Sequence, residues 1–236
     1  AQSSFPNPRN ASPNGLAAIG GDLTPNRLID AYSHGIFPWF NNDKEPIQWW
    51  SPDPRAVLFL DRLKISRSLT KRVRQNKFMV TMDVAFRNVV TQCASPRSSG
   101  DSTWITPKMA AAYVKLFELG YAHSVESWLD GELVGGLYGL SLGRMFFGES
   151  MFSKSSDASK VALVRLVCQL NTWEFDLIDC QIMNDHLESL GAVSISRTSF
   201  LDSLDRNRGF KTRLGKWLID TDEHLSIKLR SRPRRR

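Results

Sequence analysis

Cysteine, histidine and long apolar runs are the scarce features of this sequence, and each scarcity excludes something. Its three cysteines, Cys93, Cys168 and Cys180, stand far apart in apolar segments. An odd number without a C-x-x-C pair speaks against a disulfide framework and against a structural zinc site. Reduced thiols in a cytoplasmic protein are the expectation. The four histidines, His34, His123, His186 and His224, show no metal-ligand spacing, so no metal is expected. No apolar run approaches the roughly 18 residues of a membrane span. The stretch AQSSFPNPRN lacks the charged-then-apolar pattern of an export signal, and no membrane partner is expected. The glycine pairs Gly20-Gly21 and Gly135-Gly136 are not followed by the Lys-Ser/Thr of a P-loop, so nucleotide binding is not supported. With no G-x-S-x-G elbow and no convincing Cys/His pair, a covalent intermediate is not expected either.

What the chain does have is enough apolar content for a core and an excess of positive charge. Hydrophobic residues make up 42% of its 236 positions. The net charge is +7, but five arginines fall within residues 230–236, and the remainder carries only +2. A local cluster is more informative. Arg62, Lys64, Arg67, Lys71, Arg72, Arg74 and Lys77 follow one another with no acidic residue between them. Such a run serves either as a solvated helix face or as a track for a phosphate backbone.

The hydrophobic period changes near residue 121. Before it, Thr24-Pro25 opens a short helix closed by Gly35, Ser66 caps a basic helix, Asp83 caps a third, and Thr106-Pro107 opens a fourth ending at Gly120. After it, AHSVESWL leads to the hairpin dipeptide Asp130-Gly131, followed by ELVGGLYGLSLG and RMFFGESMF as strands. A helix capped at Ser156 or Asp157 comes next. FDLIDCQI then reads as a strand, NDHLESLG as a helix, AVSIS as a strand and TSFLDSLDR as a helix. The order β-β-β-α-β-α-β-α predicts an α+β class, similar to the GNAT-type acyltransferase fold, with a smaller N-terminal α/β domain. The expected divisions are a loop-rich segment over 1–60, a helical basic part over 61–120, a catalytic domain over 121–222 and a basic tail over 223–236. A GNAT enzyme that uses acetyl-CoA carries a Gly-rich turn between its central strand and helix. Here that junction reads SMFSKSSDASK, without glycine, which argues against CoA.

Polar residues in apolar strands mark a candidate site. Alternation puts Leu177, Asp179 and Gln181 on one face of their strand and Ile178, Cys180 and Ile182 on the other. Asp179 is either a hydrogen-bonded anchor for a loop or a functional carboxylate, since burying it alone is costly. Glu149, set among three phenylalanines and two methionines in MFFGESMF, poses the same choice. Trp39, Trp49 and Trp50 sit among prolines, and Trp104 precedes a helix cap. Such residues serve as stacking platforms or as lids over a core.

The stretches PNGLAAIGGDLTPNRLIDAYSHGIFPWF, WWSPDPRAVL with ISRS, STWIT, HSVESW with ELVGGLYG, FFGESMFS with ASK, and LIDCQIMNDHLESLGA cover most of residues 13–192. Together, and in this order, they resemble the leucyl/phenylalanyl-tRNA–protein transferase family. The resemblance implies transfer of Leu, Phe or, less well, Met from aminoacyl-tRNA to a protein whose N-terminal residue is Arg or Lys. The new N-terminus marks that protein for N-end-rule degradation. It implies no metal or CoA cofactor. It implies catalytic roles for Asp179 and Gln181, with Glu149 beside them and Asn184 in support. It places Trp39, Trp104, Leu137, Phe146, Met151, Leu166 and Ile178 around the donor side chain and terminal adenosine, with Tyr32 and Tyr113 nearby. Arg67, Lys71, Arg72 and Arg74 are the expected contacts to the tRNA backbone.

The chemistry fits that implication. An aminoacyl ester is already activated, and an α-amine with a pKa near about 8 is partly neutral at pH 7. Orientation and stabilisation of developing charge then supply most of the rate. Two alternatives belong to other classes. An acyl-CoA-dependent N-acyltransferase would need the missing glycine-rich turn. A non-catalytic RNA-binding module would leave Asp179, Gln181 and Glu149 without a role.

Overall fold

Residues 3–95 and 105–220 are described by a computed structural model. Trp104 and the tail over 223–236 lie outside the described residues. Seven strands form one mixed sheet: β4 (Arg55–Phe59), β5 (Met79–Met82), β6 (Ala122–Leu129), β7 (Glu132–Leu142), β8 (Met145–Ser153), β9 (Leu177–Gln181) and β10 (Val193–Ile195). Their spatial order is β10-β4-β9-β8-β7-β6-β5. Only β8 and β9 run parallel, as expected of strands joined by a helical crossover; that helix is α5 (Ala158–Thr172). Three short strands, β1 (Leu16–Ile19), β2 (Phe37–Pro38) and β3 (Gln48–Trp50), make a second sheet.

The elements after residue 121 follow the order expected from the sequence, with α6 (Asp185–Ser189) and α7 (Arg197–Asn207) completing it. The hairpin Asp130-Gly131 has φ of 51° and 80° at its two residues, the signs a tight two-residue turn requires. The sheet itself does not begin at residue 121. β4 lies inside it, between β10 and β9, and β5 forms its far edge.

Consecutive residues of the central strands enter different apolar clusters, which identifies the two faces of the sheet. Val57, Tyr138, Phe147 and Leu177 join a large core with α1 (Pro25–Ser33), α3 (Phe86–Ala94), α4 (Pro107–Glu118) and α7. Leu58, Leu137, Phe146 and Ile178 join a second core with α5 and Trp217. Phe37 and Trp49 of the small sheet belong to the first core, so the N-terminal part shares it. Gly135 explains one glycine pair: a Cβ there would lie 2.5 Å from that of Ala158, where α5 crosses β7. α2 (Arg67–Arg74) packs on α5 through Leu69 and Val73.

Local capping departs from the sequence reading at three points. Ser66 and Thr106 do cap, accepting from the amides of Leu69 and Met109. Thr24 holds the cap position, but its hydroxyl donates to Asp22. Asp83 caps nothing. It is buried at φ 54° and accepts from His123 Nδ1 at 2.8 Å and from the amides of Ser124 and Trp217 at 2.9 and 2.6 Å. Helix α3 starts later, and Glu126 accepts from the Ala85 amide there. Asp157 stands at the start of α5 without a capping bond; its carboxylate pairs with Arg72 and Lys160. For Asp83 and Asp157 a long-range polar partner outcompetes the local amide, whereas Thr24 is engaged by Asp22 two residues before it.

Candidate active site

β8 and β9 pair only through Met145–Phe147 and Leu177–Asp179, although β8 runs on to Ser153 and β9 to Gln181. The candidate site lies where this ladder stops. Both strands carry an extra residue there. On β8, Ser150 faces Tyr138 and Gly148 faces Gly139, so Glu149 is left without a partner on β7. On β9, Gln181 faces Ala56 and Asp179 faces Val57, which leaves Cys180 unmatched. Bulges of this kind re-aim side chains and shift the alternation. Phe146 and Met151, which strict alternation would put on opposite faces, both reach the second core. Glu149 turns the other way, to Tyr32 of α1 and Tyr113 of α4.

Glu149 Oε1 accepts a short hydrogen bond from the Tyr32 hydroxyl, which in turn lies 2.5 Å from the Tyr113 hydroxyl. Gln181 Nε2 donates to the same oxygen at 3.1 Å. Burial pushes the Glu149 carboxyl up to about 8; hydrogen bonds from Tyr32, Tyr113 and Gln181 oppose the rise, and the charge of Asp179 adds to it. The Tyr32 and Tyr113 hydroxyls are held well above the usual phenol range, chiefly by burial.

Asp179 is fully buried and faces Arg55, which is also fully buried. The pair is bidentate: Nε to Oδ1 at 2.9 Å and Nη2 to Oδ2 at 2.6 Å. Arg55 Nη1 donates to the Gly35 carbonyl at 2.9 Å, and the guanidinium lies between the rings of Phe37 and Phe200, 5.0 and 4.3 Å from their centres. Asp179 Oδ1 also accepts from the Gln181 amide at 2.9 Å. Gln181 has φ 63°, a left-handed conformation that costs a non-glycine residue about 1–2 kcal/mol. Two bonds hold it there, one to Asp179 and one to Glu149.

Five of the residues expected around the donor gather on the opposite face, whereas Tyr32 and Tyr113 belong to the Glu149 network. Leu137, Phe146, Leu166 and Ile178 are buried in one cluster, with Met151 packed against it. Leu137 pairs in register with Met151, and Phe146 with Ile178. Apolar and polar groups thus sit on the two faces of the sheet and meet where β8 and β9 cease to pair. Asn184 is not drawn into the polar cluster; it is exposed and caps α6 by accepting from the Leu187 amide. Trp39 is 41% exposed, its ring 6.3 Å from that of Trp50. Trp49 is core, its indole donating to the Gly20 carbonyl. Of the basic residues, Arg67, Lys71 and Arg74 are exposed on α2, whereas Arg72 is held 2.7 Å from Asp157.

Sequence reasoning missed Arg55 and Trp217. The signal for Arg55 is a cation leading the apolar run AVLFL, the complement of an Asp in LIDC. Trp217 offers none, because its partners His123 and Asp83 are distant in sequence. Among the described residues, no helix is long and apolar enough to cross a membrane.

The chain matches two family models. Residues 57–205 match the leucyl/phenylalanyl-tRNA protein transferase model, and residues 21–53 match the model of its N-terminal domain. Relatives named leucyl/phenylalanyl-tRNA–protein transferase include one from Nitrosospira multiformis, 56% identical over 89% of this chain and 90% of its own length. One from Stutzerimonas stutzeri is 59% identical over 81% and 84%, and one from Desulfatibacillum aliphaticivorans is 52% identical over 94% and 95%. A solved structure of L-PGS from Bacillus licheniformis matches at 13% identity and a TM-score of 0.36, over 69% of this chain and 52% of that one, too loosely to bear on function.

Proposed function

The chain belongs to the leucyl/phenylalanyl-tRNA–protein transferase family, and from that membership we propose that it moves Leu, Phe or Met from aminoacyl-tRNA to the N-terminal Arg or Lys of acceptor proteins, marking them for N-end-rule degradation. The carrying observation is identity of 52–59% to relatives of that name over eight-tenths or more of both chains. The fold reading that goes with it is GNAT-like for the sheet from β6 onward, with the small N-terminal sheet as an appended α/β part.

The site suits a direct reaction without a covalent enzyme intermediate. The acceptor α-amine, in its neutral form, attacks the ester carbonyl; a C–N bond forms and the C–O bond to the ribose breaks. The surplus proton leaves nitrogen, and the ribose oxygen departs with a proton. Gln181 and Glu149, at the end of the β8–β9 ladder, hold the amine. With its carboxyl pushed up to about 8, Glu149 in its ionised form suits a cationic acceptor and can take a proton. Asp179 and Arg55, being buried, act through Gln181. Leu137, Phe146, Met151, Leu166 and Ile178 enclose the donor side chain.

Donor choice tests the pocket. Apolar enclosures separate methylene-sized differences by about 1–3 kcal/mol, so Leu should outpace Val by about tenfold or more when each is supplied on its own tRNA. Equal rates would refute an apolar donor pocket at this face.

The basic helix provides a second test. Neutralising Arg67, Lys71 and Arg74 together should weaken tRNA binding for all donors alike, and each lost phosphate contact should reduce the salt slope by about 1. Arg72→Gln should matter less to tRNA, since its guanidinium is engaged with Asp157. An unchanged salt dependence in the triple variant would place the tRNA elsewhere.

A further inference from the structure

We infer that Arg55 is a positioning residue that sets both walls of the active site through one guanidinium. The inference rests on the reading of Glu149 and Gln181 as the acceptor site. Arg55 spends its Nε and Nη2 on Asp179, and Asp179 Oδ1 fixes the amide of Gln181 in its left-handed turn. That turn aims the Gln181 side chain at Glu149. The remaining nitrogen, Nη1, donates to the carbonyl of Gly35. Gly35 follows α1 at φ 74°, and the last turn of that helix carries Tyr32, whose hydroxyl holds Glu149 from the other side. One planar group thus connects the end of β9 to the end of α1. The rings of Phe37 and Phe200 lie against it, and the side chain is fully buried.

Lysine cannot reproduce this. An ammonium is a point charge and lacks the fork that holds both carboxylate oxygens while a third nitrogen reaches elsewhere. A purely structural ion pair behaves differently, because a buried pair can often be replaced by apolar side chains of similar volume without loss of fold.

Two variants separate the cases: Arg55→Lys, and the double replacement Arg55→Met with Asp179→Leu. Single-turnover transfer of labelled Leu from saturating Leu-tRNA is measured against varied Arg-starting peptide and expressed per folded molecule by a spectroscopic unfolding signal. Both variants should bind Leu-tRNA as the wild type does. At saturating peptide both should transfer at least tenfold more slowly, with Arg55→Lys the less impaired. Wild-type rates per folded molecule in either variant, or a loss that only tracks the folded fraction, would overturn the inference. Failure of the wild-type protein to transfer at all would instead refute the functional reading on which the inference rests.

Discussion

Glu149→Gln should be more stable than the wild-type protein at pH 8 and a poorer enzyme there. The folded carboxyl takes its proton at about 8, while its ordinary value is 4.5. Folding therefore favours the protonated group. The stability this contributes is complete below pH about 4.5 and is lost as pH rises through 8. Glutamine mimics the neutral form at every pH, and its amide oxygen can still accept from Tyr32 and Gln181. The variant's stability should consequently lack the decline between pH 4.5 and 8, a difference on the order of a few kcal/mol. Chemical denaturation at pH 5, 6.5 and 8 reads this directly; parallel curves for the two proteins would contradict it. Transfer should move the opposite way, because a cationic acceptor loses its carboxylate. The KM for Arg- and Lys-starting peptides should rise about tenfold, in keeping with a charge-assisted contact. A site that is costly to fold yet needed for binding is the expected mark of a functional carboxyl.

Trp217→Ala should lower stability by about 3–5 kcal/mol, the range for removing a large buried aromatic side chain. The indole is 2% exposed and stacks on His123 with ring centres 3.6 Å apart. It also meets Trp173, Phe175 and Phe146, the last a member of the proposed donor pocket. Its amide is anchored by Asp83. Trp217→Phe should lose much less, since a ring remains to stack on His123. Thermal or urea unfolding of both variants decides the matter; an unchanged midpoint for Trp217→Ala would mean that this segment does not close the second core. Through Phe146, the alanine variant should also discriminate less between Leu and Phe donors.

The strands were legible where period and turn residues agree. LIDCQ reads as a strand because alternation and an apolar frame coincide, and Leu177 and Ile178 do enter opposite cores. The order of elements after residue 121 follows from Asp130-Gly131 and from the changes of period around it. Caps were less legible. Ser66 and Thr106 face open helix ends, whereas Asp83 and Asp157 have long-range partners that a local rule cannot anticipate. The site was legible as a set of residues but not as an arrangement. Glu149 is aimed by a bulge, and a bulge is defined by which residue of a neighbouring strand it fails to face. Arg55 and Asp179 are 124 positions apart, and only the placement of β4 beside β9 makes them a pair. Asn184, counted with the site on resemblance, is explained as it stands by the start of α6.

The most direct test of the central claim is transfer of labelled Leu and Phe from their tRNAs to an Arg-starting peptide by the purified protein, with parallel reactions containing RNase, acetyl-CoA in place of tRNA, or an acidic N-terminal residue on the peptide. The structure and the family predict label on the α-amine of the Arg-starting peptide, abolished by RNase and absent in the other two reactions. Label transferred from acetyl-CoA, or tRNA bound without any transfer, would contradict the assignment.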